Sequence, residues 1–211
     1  NFSNDINYEV DGWSSKEYPN ALLGVVALIR QTIIDANWYN DAIHKTNKFP
    51  TLNEPLKQNR DLAIISDWIQ KRSPFVFDTD HELDVMRSFN IADEFQLNGW
   101  IKGSGYEYRR ISEISDVNPF IILPLNFPIK PDISDPYQEL SYSTAELKHW
   151  DMAPDNPIIL FEHNIPIALT SFGLKENEFR KNLSISVARG LPEYYALSAL
   201  TSIPAERMGK G

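Results

Sequence analysis

Residues 73–84 read SPFVFDTDHELD, a short apolar run that stops at two aspartates and a histidine. Carboxylates and an imidazole at the tip of a buried strand are what a metal centre or an acid–base pair requires, since both need ligands or proton carriers held at the rim of a dry core. Asp78 comes directly off the apolar run and is the stronger candidate. Asp80 and His81 stand just before the helical pattern ELDVMRSFNIADEF. An aspartate there accepts hydrogen bonds from the first free N–H groups and interacts favourably with the helix dipole, so capping accounts for Asp80 better than metal binding does.

A second candidate follows the next apolar run, in GSGYEYR at residues 103–109. Glycine-rich turns can cradle phosphate with backbone N–H groups. This one lacks the third glycine of a dinucleotide fingerprint and the Lys-Ser/Thr of a P-loop, so a tight strand-to-helix turn is the better reading. Glu107 and Arg109 beside it suit a catalytic acid and an anion clamp, and EYRR suits equally the exposed first turn of a helix. His149 and His163 each lack a second histidine at ligand spacing, and an isolated histidine is more often structural or solvent-exposed than a ligand. His44 falls at a helix end. There is no HxH, HExxH or GxSxG pattern.

The elements that must position these residues are legible from periodicity. Residues 1–20 read as an irregular polar arm, with Asn20 placed to cap the next segment. A helix is predicted from Ala21 to about His44, with Leu22, Val25, Val26, Ile29, Ile33 and Trp38 on its inner side. A loop covers 45–55. A second helix is predicted from about Leu56 to Lys71, with Leu62, Ile65, Trp68 and Ile69 inward. Strand-length apolar runs at 75–77, 100–102, 120–125 and 165–170 then alternate with helices at 82–95, 107–116 and 176–190, and a last helix at 192–201 is set off by Gly190 and Pro192. Such alternation predicts parallel strands joined by crossovers, with chemistry collected at the strands' carboxyl ends. Those ends hold Asp78, Lys102, the 103–109 turn, Asn126, Thr170, Ser171 and Phe172. The 126–164 connection is long enough to be an insertion and carries the helix-like STAELKHW at 143–150. Four strands are too few for a closed (β/α)8 barrel, so the chain is a small open α/β sheet or half of a barrel.

The composition excludes several classes. A net charge of −9 over 211 residues leaves no cationic surface for a phosphate backbone, so no nucleic-acid partner is expected. With no cysteine there is no disulfide, thiolate ligand or cysteine nucleophile. The longest apolar stretch, ALLGVVALI at 21–29, falls short of the ~20 residues that span a bilayer, so no membrane span is expected. The sequence opens on Asn1 without methionine, which suggests processing or a longer parent.

Six segments, YPNALLGVVALIRQTIIDANWY, PFVFDTDHELDVMRSFNIADEFQL, ILPLNFP, LKHWDMAPDNP, IALTSFGLK and ALSALTSIPAERMG, together resemble the amidohydrolase superfamily, nearest to the imidazolonepropionase-related branch found in large bacterial proteins. The likeness covers nearly all of residues 18–209. It implies the later strands of a distorted TIM barrel, a divalent metal such as zinc in an intact relative, and hydrolysis of C–N bonds by metal-activated water. It also implies what this sequence has lost. The first-strand HxH pair would lie upstream. The fifth-strand histidine aligns with Asp78, the sixth-strand histidine with the region of Lys102 and Gly103, and the eighth-strand aspartate that serves as base with Phe172. A phenylalanine neither holds metal nor takes a proton.

The resulting expectation is an α/β chain with domain limits 21–211, forming the later part of a barrel that is catalytically degenerate. Asp78 is its only plausible ligand position, and no cofactor is expected in this chain. If chemistry survives, its candidates are Asp78, Glu107 and His149. Lys102, Ser104, Tyr106, Arg109, Asn126 and Ser171 would then face a small-molecule substrate. The alternatives are a non-catalytic scaffold or binding domain of a larger protein, and a small α/β domain holding a phosphorylated ligand at 103–105. Exposed strand edges predict self-association or a partner half that completes the barrel. The resemblance favours an exported or periplasmic location.

Overall fold

The computed structural model describes residues 19, 21–49, 56–132 and 141–210. They fall into two compact units, one of residues 76–90 with 99–211 and one of residues 2–75 with 91–98. The 1–20 arm and its Asn20 cap lie almost wholly outside the described residues.

The first unit is built on a four-stranded sheet in the order β1 (Pro74–Asp78), β2 (Asn98–Lys102), β3 (Phe120–Pro124), β4 (Ile167–Thr170). The pairs β2–β3 and β3–β4 are parallel, with Trp100 opposite Phe120 and Leu123 opposite Leu169. Sequential parallel order is what a run of right-handed crossovers produces. The crossovers are α3 (Glu82–Glu94), then a 3-10 turn (Glu107–Arg110) leading into α4 (Ile111–Val117), then α5 (Thr144–Met152), a 3-10 turn (Ala153–Asp155) and α6 (Asn156–Glu162). After β4 come α7 (Glu176–Ala188), α8 (Glu193–Leu200) and α9 (Ser202–Arg207).

Side chains alternate across the sheet, as pleating requires. Ile101, Ile121, Leu123, Ile167 and Leu169 bury one face against Val85 of α3, Ile114 of α4 and Leu160 of α6. The other face carries a smaller cluster of Trp100, Phe120 and Ala168, with Ile122 and Ile203 against it. There Trp100 meets Phe120 edge to face at 5.3 Å, and the Arg207 guanidinium lies 5.0 Å from the Phe120 ring. On β1 this second face is open: Val76 is 59% exposed although Phe77 beside it is buried.

The second unit contains α1 (Leu22–Lys48) and α2 (Arg60–Gln70). The side chain of Asn59 accepts from the N–H groups of Asp61 and Leu62, both at 3.1 Å, and its own N–H donates to the Tyr39 hydroxyl at 3.0 Å. That cap starts α2 four residues later than its apolar pattern suggests. On α1 the buried positions are Ile33, Ala36 and Tyr39, while Trp38 is 59% exposed, and Trp68 of α2 is also exposed. Trp68 instead uses its indole N–H on the Pro74 carbonyl at 3.1 Å.

Three further expectations are corrected. The cap of α3 is His81 rather than Asp80, since its Nδ1 accepts from the Leu83 N–H at 3.2 Å. The 126–164 connection holds α6 as well as the anticipated helix. Its NPIILFE is helical although it contains Pro157, since proline fits the first turn of a helix, where its missing N–H is not needed. The ending SIPAER is helical by the same rule. Replacing Ile121, fully buried at the centre of the larger cluster, with alanine is expected to cost about 2–5 kcal/mol in urea unfolding.

Candidate functional site

The carboxyl ends of the strands hold the sequence-predicted residues in three separate groups. The first comprises Asp78, Lys102 and Phe172. Asp78 and Lys102 share the sheet's second face by alternation with Val76 and Trp100, and they form an ion pair. Phe172 lies with its ring centre 4.6 Å from the Lys102 ammonium. The loop after β1 is pinned next to them, because the Thr79 hydroxyl donates to the Lys102 carbonyl at 2.7 Å.

A metal centre would find a poor seat in this group. Its one carboxylate is already neutralised by an internal ammonium, and the remaining neighbour is an aromatic ring. A divalent ion would have to displace Lys102 and recruit further oxygen or nitrogen ligands. Among the described residues, no three His, Asp or Glu side chains converge to supply them. The donor set does not fit zinc.

The second group is Glu107 with the 103–105 turn. Far from lying on an exposed first turn, Glu107 is fully buried. Its Oε1 accepts from the Ser104 N–H at 2.5 Å, the Ser104 hydroxyl at 3.0 Å and the Gly105 N–H at 3.2 Å. Its Oε2 accepts from the Gly105 N–H at 3.1 Å and the Asn156 side-chain amide at 2.7 Å. The turn does cradle an anion, but one that the chain itself provides. The Ser104 and Gly105 amides proposed for a phosphate are committed to Glu107, and the carboxylate proposed as an acid is enclosed among donors away from solvent. Asn156 closes the loop, since its Oδ1 accepts from the Tyr108 N–H at 2.9 Å. A β-carbon at Gly103 would lie 2.9 Å from Glu107 Oε1 and 3.0 Å from Ile121 Cγ2, so only glycine fits there.

The third group joins Tyr106, Arg109 and His149 with Tyr108 and Glu82. His149 is not solvent-exposed: it is 9% accessible and stacks on Tyr106 with ring centres 3.8 Å apart. Its Nδ1 is 3.2 Å from the Tyr108 hydroxyl. The Arg109 guanidinium lies 4.3 Å from the Tyr106 ring, and its Nη1 is 3.8 Å from Glu82 Oε1. Burial, then the neighbouring Arg109 charge, push His149 below the ordinary imidazole range, with Glu82 opposing them. Asn126 and Ser171 are exposed, Asn126 lining a recess with Gly105 and Asn156, and its amide lying against Gly173. Asn156, Tyr108 and Glu82 gave no signal in the sequence, because their roles depend on partners tens of residues away.

Neither a family model nor a curated protein matches this sequence. Among solved structures, the fold is similar to that of an amidohydrolase from Thermotoga maritima. The TM-score is 0.68 at 17% identity, over 91% of this chain and 46% of that one. The fold is therefore amidohydrolase-like, an α/β arrangement on a parallel sheet, and the chain spans about half the length of that relative. No helix among the described residues is long and apolar enough to cross a membrane.

Glu107→Ala would leave two backbone amides and the Ser104 and Asn156 side chains without their acceptor. Unsatisfied buried donors cost about 1–3 kcal/mol each, so the variant is expected to lose several kcal/mol in chemical denaturation. Gly103→Ala, by crowding the same carboxylate, is expected to lose about 1–3 kcal/mol.

Proposed function

We propose that this chain is the later half of an amidohydrolase-like (β/α)8 barrel, of the imidazolonepropionase-related branch, and that it serves as a non-catalytic wall and scaffold within a larger protein. The observation that carries this reading is the Asp78–Lys102 ion pair beneath Phe172. Metal-assisted hydrolysis needs a cation with an open coordination position and a base to take the proton from its water. Here the ligand position is spent on a lysine, and the place of the base holds a phenylalanine. An ammonium in that position also repels any metal ion brought by ligands on other strands.

The fold supports the half-barrel part of the proposal. A sheet ordered β1-β2-β3-β4 has two edges facing outward, and its second face is only partly covered, with Val76 open to solvent. Completion would come from the remaining strands of the same protein. In their absence, self-association through the same face is expected.

Two measurements test this. Mass spectrometry of the purified chain after zinc loading is expected to find no stoichiometric metal. Metal bound one to one, and lost in Asp78→Ala, would overturn the degenerate-site reading and would direct a hydrolysis screen to cyclic amides and dipeptides. Gel filtration with light scattering is expected to show species heavier than 24.2 kDa, or dye-accessible apolar surface. A monomer that binds no dye would count against the half-barrel.

A further inference from the structure

We propose that His149 is a proton-operated latch: in its neutral form it fastens α5 to the turn after β2, and its protonation releases α5 from that turn. The hydrogen-bond geometry sets the direction. Arg109 Nε donates to the Tyr108 hydroxyl oxygen at 3.4 Å. The Tyr108 hydroxyl keeps its single proton to donate, and His149 Nδ1 lies 3.2 Å away in place to accept it. The neutral ring therefore carries its proton on Nε2. A proton on Nδ1 as well would turn acceptor into donor. The Tyr108 hydroxyl would face two donors, with no partner for its own hydrogen.

Electrostatics act in the same sense. The groups facing His149 are Tyr106, Tyr108 and Arg109 from the 103–110 segment and Glu82 from α3. An imidazolium would sit beside an existing guanidinium. The Tyr106 ring that could attract it already faces that guanidinium. Glu82 offsets this in part, yet burial and Arg109 prevail and hold the histidine below its ordinary range.

The sign follows from linkage. A released α5 exposes a histidine that titrates near about 6.5, whereas the fastened one titrates lower. Fastening is therefore complete above that value and weakens as the pH falls from it towards the lower, fastened value. Two titratable groups nearby do not imitate the effect. Glu146, in the capping box with Ser143, is held below the ordinary carboxylate range by the Ser143 hydroxyl and N–H, and stays charged through this window. Burial raises Asp155, Arg189 opposing and Asp151 adding to it, so acidification relieves Asp155 instead of straining it. The Arg189–Asp151 pair at 3.0 Å tethers the far end of α5, which keeps the release local.

Amide hydrogen exchange across 147–152, corrected for intrinsic rates, reads the latch directly. Protection is expected to fall by up to about tenfold per pH unit between about pH 6.5 and the lower value of the fastened ring, and to stay level in His149→Phe, which keeps the stacked ring but takes no proton. Should α5 be unprotected in that variant at every pH, the imidazole titration followed by NMR in the unaltered chain decides the matter. A ring titrating clearly below the ordinary value supports the latch, and one titrating at or above it overturns the latch. Protection that is flat with pH in the unaltered chain, or that falls equally in His149→Phe, would also overturn it.

Discussion

A single buried carboxylate holds the carboxyl-end architecture together. Placing a charge in a dry interior is costly unless donors surround it. Glu107 meets donors from the 103–105 turn and from Asn156 at the head of α6. Because Asn156 also receives the Tyr108 N–H, the same contacts fix the 3-10 turn relative to α6. The orientation of Tyr108 and Tyr106, and through them the seat of His149, follows from it. Gly103 is part of the same constraint, since the carboxylate occupies the space a side chain would need. The turn that looked like a receptor for an outside phosphate is thus filled from within.

The second face of the sheet is organised by the opposite charge. Lys102 follows Trp100 by two residues, so its ammonium emerges at the rim above the apolar Trp100–Phe120 contact. Asp78 neutralises it and Phe172 covers it. Asp78, Lys102 and Phe172 thus form a self-contained cation–carboxylate–aromatic set. Within it the ammonium has both a counter-charge and an aromatic face, which lets it sit at the rim of an apolar surface.

The strands and most helices were legible because parallel strands buried on both faces read as short apolar runs, and crossover helices as 3.6-residue periods between them. Periodicity failed where a local rule overrode it. α6 carries Pro157 in its first turn, and the Asn59 cap delayed α2. Helical periodicity places Trp38 and Trp68 inside, although a large apolar side chain is often only part-buried. At the site, Asp78 was located correctly at a strand end, but its partner was not, since an ion pair between adjacent strands leaves no trace in spacing. Glu107 was misjudged for a similar reason. EYRR looks like a solvated turn until Asn156, 49 residues on, is brought against it.

The outer edge of β4 is capped at its start by a side chain. The Ile121 N–H donates to the Pro166 carbonyl, which in a parallel ladder turns the polar groups of Ile167 and Leu169 away from β3. At the start of that edge the Tyr195 hydroxyl serves both needs, accepting from the Ile167 N–H at 3.4 Å and donating to the Ile165 carbonyl at 3.3 Å. Burial pushes this tyrosine's ionisation upward, so the hydroxyl keeps the proton it donates. Farther along β4, Leu169, Leu174, Phe179 and Leu200 line a recess beside the strand together with Thr170, Ser171 and Glu176. Strand edges are commonly capped or covered because an open one can pair with another chain, and the Tyr195 hydroxyl does this at the start of β4. The same sheet is closed to solvent along its helix-covered face, where Ile121 and Leu123 are buried.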